Sequence, residues 1–256
     1  MLFEEKKDYY LINRLQQRMS ELGIISFNEY YKTLIFEDRS KELQSFIESI
    51  TINETYFFRD FPQLQGFAEK VLPAYLEQKR KKFNSVLKVW SAACSTGEEA
   101  YTLSIILQEM IEDYAHWSVS VEATDIDRNV IGHAEKGIYS ERSMKDTPEA
   151  YRKKYFVPMG EEWQVSKLKK HPIDFKTLNF TDKEAMKKMR NFDVIFCRNV
   201  LIYFDDQSRK SVVNLLYDSL IPGGHLFLGH SENIGRITAA FELQTLGGFI
   251  CYRRPL

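Results

Sequence analysis

The stretch Val86-Leu-Lys-Val-Trp-Ser-Ala-Ala-Cys-Ser-Thr-Gly-Glu-Glu99 decides the fold. Its first six residues form a short run, rich in valine and tryptophan, that reads as a β-strand. Small residues follow, and then Tyr101, Leu103, Ile106, Leu107 and Met110 recur at helical spacing. A strand feeding a helix through a small-residue turn is the opening unit of a parallel α/β sheet. The same texture continues downstream. Ser118–Ala123 reads as a second strand and Val130–Lys136 as a helix. Phe192-Asp-Val-Ile-Phe-Cys197 is almost wholly apolar, as a strand covered on both faces should be. Ser208–Leu220 has helical spacing, Pro222-Gly-Gly224 reads as a turn and His225–Gly229 as a strand. Two extended runs around Gly247-Gly248 suggest an antiparallel hairpin at the sheet edge.

Upstream of residue 83 the pattern is helical instead. Leu11, Ile12, Leu15, Met19 and Leu22 make one stripe, and others run through Phe27–Leu34, Leu43–Ile50 and Leu64–Leu76. A helical N-terminal domain over residues 1–75 and a larger α/β domain over 76–256 are therefore expected. A β excursion over about residues 139–176 is signalled by the alternation in Trp163-Gln-Val-Ser-Lys-Leu168. Across all 256 residues, 44% are hydrophobic and 28% charged, which excludes collagenous, coiled-coil and disordered classes. The net charge of −1 gives no whole-molecule field for nucleic acid or membrane. No apolar run approaches the ~18 residues of a membrane span, and the first residues lack a secretory pattern. Cys94, Cys197 and Cys251 have no metal-ligand spacing and read as reduced thiols of a cytoplasmic protein.

Ligands of such sheets lie at the carboxyl ends of the strands, where strand order reverses. The first strand ends in Ala92–Glu99, which has a single glycine and no Lys-Ser/Thr, so it is neither a dinucleotide fingerprint nor a P-loop. Glu98 and Glu99 disfavour phosphate and suit a ligand carrying positive charge. Ser95 and Glu98 have the spacing of a capping box, which would leave Glu99 to the ligand. After the second strand, Asp125 can accept both hydroxyls of a ribose, while Asp127 suits a helix cap. Asn179, following the extended Ile173–Thr177 run, can read an adenine edge with Phe180 against the ring. A nucleoside with a positive group and no phosphate points to S-adenosylmethionine.

Five segments occur in a telling order: Ile52-Asn-Glu-Thr-Tyr-Phe-Phe-Arg-Asp60, Val89–Glu99, Ala123-Thr-Asp-Ile-Asp127, Phe196-Cys-Arg-Asn-Val-Leu-Ile-Tyr-Phe204 and Gly229-His-Ser-Glu-Asn233. Together they strongly resemble the CheR-type chemotaxis receptor methyltransferases, from about Leu11 to Cys251. The resemblance implies a Rossmann-like class I methyltransferase sheet with a small all-α N-terminal domain and an inserted small β subdomain. It implies methyl transfer from S-adenosylmethionine, leaving S-adenosylhomocysteine, to glutamate side chains on receptor cytoplasmic helices. It further implies that Asn53, Thr55 and Arg59 close over the methionine end, that Glu99 holds its amino group and Asp125 the ribose. Asn179 and Phe180 would take the adenine, with Arg198 and Asn199 lining the pocket floor. Arg59 and Tyr203 would be the catalytic, aligning groups.

Arg14 and Arg18, four apart on the first helix, resemble the family's receptor-docking face. Residues 136–190 add a basic stretch, with 14 basic and 8 acidic residues. The β-subdomain loop Val157–Trp163 is short with one glycine, which suggests an enzyme independent of a receptor C-terminal pentapeptide. A monomer without metal, nucleic-acid partner or membrane insertion is expected. Two rivals stand: a methyltransferase acting on RNA or a small molecule, and a non-catalytic module that only senses the cofactor.

Overall fold

The computed structural model describes residues 8–36, 39–51, 53–166, 168, 173–246 and 248–256. Three helices open the chain, α1 (Asp8–Glu21), α2 (Phe27–Phe36) and α3 (Arg39–Ile50). Next come α4 (Phe61–Gly66), one π-helical turn (Phe67–Val71) and α5 (Leu72–Lys81). Then follow β1 (Val86–Ala92), α6 (Glu98–Met110), β2 (Ser118–Asp125), α7 (Arg128–Lys136) and β3 (Ile138–Ser140). The middle of the chain forms α8 (Glu149–Tyr155), β4 (Phe156–Met159), β5 (Glu162–Val165), β6 (Asp174–Thr177) and α9 (Lys183–Met186). The last elements are β7 (Phe192–Cys197), α10 (Asp206–Ser219), β8 (Leu220–Leu228), β9 (Glu242–Leu246) and β10 (Phe249–Arg253).

The large sheet has seven strands in the order β6-β2-β1-β7-β8-β10-β9. Strands β6, β2, β1, β7 and β8 run parallel, and β10 and β9 close the edge antiparallel. Strand order reverses between β1 and β7, so the crevice at their carboxyl ends is a topological switch point. The fold is the expected Rossmann-like one, with apolar cores on both faces of the sheet. All six residues of β7 are buried, as the apolar run requires. A separate three-stranded sheet, β3-β5-β4, holds the β excursion. Residues 174–176, placed by the sequence at the end of that excursion, belong to β6 instead, because Phe175 turns inward onto Tyr101.

Helices α4 and α5 pack on the sheet rather than on α1–α3. Phe67 meets Phe196 and Phe227 edge-on, and a Cβ at Gly66 would stand 1.6 Å from Phe249 Cε1. Residues 61–75, grouped by the sequence pattern with the N-terminal helices, contribute Leu64, Phe67, Ala68, Val71, Leu72 and Tyr75 to the core of the α/β unit. The Pro222-Gly-Gly224 turn is corrected to strand. These residues lie inside β8, where the register against β7 shifts and Gly223 takes up a positive φ of 81°. Gly248 has a positive φ of 93° between β9 and β10, whereas its partner in the expected turn, Gly247, lies outside the described residues, as do residues 1–7 of the start. Among the described residues no helix is long and apolar enough to cross a membrane.

The N-terminal helices meet the α/β unit along a polar seam. Gln44 of α3 donates to the Ile126 carbonyl at 2.6 Å, and Asn129 donates to Glu48 at 3.0 Å. Thr51 and Asn53 both donate to Asp127, at 3.2 and 3.1 Å.

Candidate active site

At the switch point a cavity of about 570 Å³ opens between the carboxyl ends of the strands and the helices α1 and α3. Its walls come from four segments far apart in sequence: the inter-domain segment 53–59, the turn after β1, the ends of β2 and β6, and the loop after β7. Leu11, Leu15, Leu43, Phe46 and Ile47 contribute an apolar roof.

The inter-domain segment is anchored by two phenylalanines. Phe57 is fully buried, edge-on to Tyr139 and Phe156 with ring centroids 4.8 Å away, and Phe58 stacks on Tyr151. Their burial leaves Arg59 facing the cavity, where its guanidinium donates to the Glu54 carbonyl at 2.9 Å. Thr55 lines the same wall. Asn53 lines it too, but its amide nitrogen is already given to Asp127 and Thr51.

The turn after β1 carries Ala93 at φ 65° and Ser95 at φ 50°, and Gly97 at φ 95° begins α6. A Cβ at Gly97 would sit 2.7 Å from the Ala134 methyl, so the glycine admits α7 as well as the turn. The expected capping box is absent. Ser95 Oγ donates to the Asn53 carbonyl, and Glu98 accepts from Thr96 and Ser143 instead. The left-handed backbone at Ser95 turns its hydroxyl away from the helix start. Glu98 is nonetheless occupied structurally, and Glu99 faces the cavity. Of the seven non-glycine residues with positive φ among those described, Phe58, Ala93, Ser95 and Asn199 line this cavity. Backbone strain is concentrated where a ligand would be gripped.

Glu99 accepts from Ser91 Oγ at 2.6 Å and from Arg198 Nη1 at 3.2 Å. Burial pushes its carboxyl above the usual range, opposed by the Arg198 charge. Arg198 itself, with a side chain only 3% exposed, also binds Asp60 at 2.5 Å and the Arg59 carbonyl at 2.9 Å. It thus ties the loop after β7 to both the inter-domain segment and the first turn of α6. Neither Asp60 nor the double grip of Arg198 was expected from the sequence.

Asp125 closes β2. Its two oxygens accept the backbone N–H groups of Ser95 at 2.8 Å and Asp127 at 3.0 Å. Burial raises its carboxyl, and those N–H groups oppose the rise. Each oxygen keeps a free lone pair for a ligand hydroxyl. Asp127 caps α7 as expected, accepting from Asn129 and Val130 N–H. Asn179 folds its Oδ1 back onto Thr181 N and Oγ1, both at 2.9 Å, and Phe180 packs edge-on to Trp90 below it. Tyr203 and Asn199 complete the wall. Burial raises the Tyr203 phenol, a rise that the Arg59 charge opposes.

All ten residues expected at the cofactor and catalytic positions therefore line one cavity. The docking pair is different. Arg14 lies over the Tyr10 ring at 5.2 Å and donates to Gln17. Arg18 is committed to Glu42 at 2.6 Å and to Glu21 at 2.5 Å, binding α1 to α3. Six of the fourteen cations in the basic stretch are also paired. Arg142, Lys153, Lys154, Lys176 and Lys187 pair with Glu54, Glu149, Glu109, Asp174 and Glu184, and Arg152 pairs with Glu141. Cys94, Cys197 and Cys251 are free and buried.

The cavity's chemistry fits a cationic nucleoside. It offers a carboxylate at the end of β2 for a diol, a second carboxylate for a positive group, an amide and a ring for a base, and an arginine for an acid. Comparison with known proteins agrees. Residues 53–247 match the family model described as the SAM-binding domain of CheR methyltransferase, and residues 1–51 match its all-alpha domain. Chemotaxis protein methyltransferase 2 of Vibrio cholerae is 36% identical over 256 residues, covering 100% of this chain and 88% of that protein. The chemotaxis protein methyltransferase of Borreliella burgdorferi is 35% identical over 90% of this chain and 82% of its own length. That of Escherichia coli is 34% identical over 95% of this chain and 82% of its own length.

Proposed function

The chain belongs to the CheR methyltransferase family, and from that premise we propose that it methylates glutamate side chains on the cytoplasmic helices of chemotaxis receptors. The observation that carries the reading is the single cavity in which Asp125, Glu99, Arg59 and Tyr203 converge. S-adenosylmethionine, when bound, supplies an electrophilic methyl group on a sulfonium. Asp125 would hold the ribose hydroxyls, Glu99 the amino group, Asn179 and Phe180 the adenine. Thr55 and Arg59 would face the methionine end, with Asn53 acting chiefly through Asp127. Arg198 opposes the rise that burial imposes on the Glu99 carboxyl and aims it, and Asn199 shapes the floor.

The chemistry asks little proton handling of the protein. A glutamate side chain, with an ordinary pKa of about 4.3, is already a nucleophile at neutral pH and needs no general base. What remains is alignment and exclusion of water. Tyr203, its phenol raised by burial, stays an O–H donor across the neutral range, and Arg59, lining the same cavity, can orient a carboxylate. The apolar roof from α1 and α3 would help exclude water from the reacting groups. Receptor docking falls to α1–α3 through Arg14, since Arg18 is spent on Glu42 and Glu21. The tight β4–β5 hairpin at Gly160 supports pentapeptide-independent recognition, and the enzyme would act as a cytoplasmic monomer.

The test is methyl transfer from methyl-labelled S-adenosylmethionine to purified receptor cytoplasmic fragments, with and without their C-terminal tails. Expected is label released as methanol by mild base, absent when the acceptor glutamates are replaced by alanine. Base-stable label, or label on RNA instead of receptor, overturns the reading.

A further inference from the structure

The motif Gly229-His-Ser-Glu-Asn233 contributes no residue to the cavity wall, yet Glu232 organises that wall from behind. Its carboxylate reaches across from the turn after β8 to the loop after β7. Oε2 accepts the N–H groups of Asn199 at 2.8 Å and Gly229 at 2.7 Å. Oε1 accepts the N–H of Leu201, at 2.7 Å, the first residue of the short helical turn Leu201–Tyr203. Three short charge-assisted hydrogen bonds from one side chain fix the backbone of that loop.

Two details show how closely the loop is held. Asn199 has φ 60°, a left-handed conformation that persists only where its surroundings over-determine it. Gly229 is required beside it, because a Cβ there would stand 2.8 Å from both Glu232 Oε2 and Asn199 Nδ2. The opposite side of the turn is gripped as well. Arg209 donates to the Leu201 carbonyl at 3.1 Å and the Phe204 carbonyl at 3.0 Å. Tyr203 is thus carried by a turn whose N–H side is fixed by Glu232 and whose carbonyl side is fixed by Arg209.

We propose that Glu232 is a positioning residue for methyl transfer, setting through three backbone N–H groups the loop that presents Tyr203 to the reacting centre. The inference rests on the reading of Tyr203 as an aligning group. In Glu232→Gln, one acceptor oxygen becomes an NH2 group that faces a backbone N–H, so the loop loosens while the side-chain volume is kept. Glu99 and Asp125 belong to other segments and are left in place.

The experiment is a double-variant cycle on the full chain, with Glu232→Gln, Tyr203→Phe and both together. Three quantities are read: kcat on a receptor fragment, Kd for S-adenosylhomocysteine, and amide hydrogen exchange over residues 198–204. Expected for Glu232→Gln is a kcat lower by about 10–100-fold, the scale of a lost charge-assisted hydrogen bond. Kd should weaken less than kcat falls, since Asp125, Asn179 and Phe180 lie outside the loop, and exchange over 198–204 should quicken. The double variant should be no slower than Tyr203→Phe alone, because both changes remove the same alignment. Unchanged kcat, unchanged exchange, or multiplied losses in the double variant each overturn the proposal. A wild-type protein inactive on receptor fragments, with exchange still governed by Glu232, overturns the functional reading, and the catalytic part of this proposal falls with it.

Discussion

Replacing Arg198 by methionine keeps most of the side chain's volume and removes its charge from the centre of the site. The arginine is 3% exposed and Glu99 14%, so solvent can do little for the carboxylate left behind. Asp60, at 37%, is wet enough to recover most of its own loss. Breaking a buried pair by removing one partner costs about 3–5 kcal/mol, which for a chain of this size lowers Tm by about 6–20 °C. The pH dependence identifies the cause. Burial already raises the Glu99 carboxyl, and Arg198 opposes that rise, so the variant raises it further. A carboxyl whose folded pKa exceeds its unfolded value takes up a proton on folding, and stability falls as pH climbs between the two values. The Tm gap between wild type and Arg198→Met should therefore widen from about pH 5.5 to about pH 8. Cofactor affinity of the variant should move the other way, improving as Glu99 ionises to meet a cationic amino group. Thermal unfolding and calorimetric titration with S-adenosylhomocysteine at both pH values measure the two trends. A pH-independent gap of under about 2 °C would show that Arg198 does not hold a buried Glu99 charge.

Asp125→Asn puts an NH2 group against one of two backbone N–H donors and removes a ribose acceptor, so S-adenosylhomocysteine should bind about 10–100-fold more weakly; an unchanged Kd by calorimetry refutes the ribose role. Gly66→Ala forces a methyl to within 1.6 Å of Phe249 Cε1, and unfolding should show a loss of about 1–3 kcal/mol. Arg14→Glu should slow receptor methylation most at low salt, where surface charges are least screened, while leaving Tm nearly unchanged. Arg18→Glu should instead lower Tm, because it sets a second acid against Glu42; equal effects of the two variants on docking would return Arg18 to the docking face.

What the sequence made legible was whatever is encoded over short distances. Apolar runs marked β1, β2 and β7 because strands buried on both faces need them, and strand ends pointed to Glu99, Asp125 and Asn179. Local punctuation misled twice. Pro222-Gly-Gly224 carries turn residues, but the chain uses them for a bulge inside β8. Ser95 and Glu98 have cap spacing, but a left-handed backbone sends Ser95 to Asn53. Long-range pairing was invisible. Arg198 meets Asp60 138 positions away, and Glu232 meets Asn199 across 33. Arg18 looked like a free cation because its partner Glu42 sits 24 residues on, in another helix. The family resemblance supplied Arg59 and Tyr203, which no spacing rule would single out.

The seam along Gln44, Glu48, Thr51 and Asn53 gives the cavity two owners. Asn53 and Thr51 belong both to the contact between the N-terminal helices and Asp127 and to the lining of the cleft. Whatever fills the cleft therefore leans on the joint, and whatever steadies the joint prepares the cleft. Thermodynamic reciprocity makes these one coupling free energy, equal in both directions. A receptor helix that grips α1–α3 and a nucleoside that settles on Asp125 would each sense the other without touching. On the proposed docking, the small helical domain would report occupancy as well as hold the substrate.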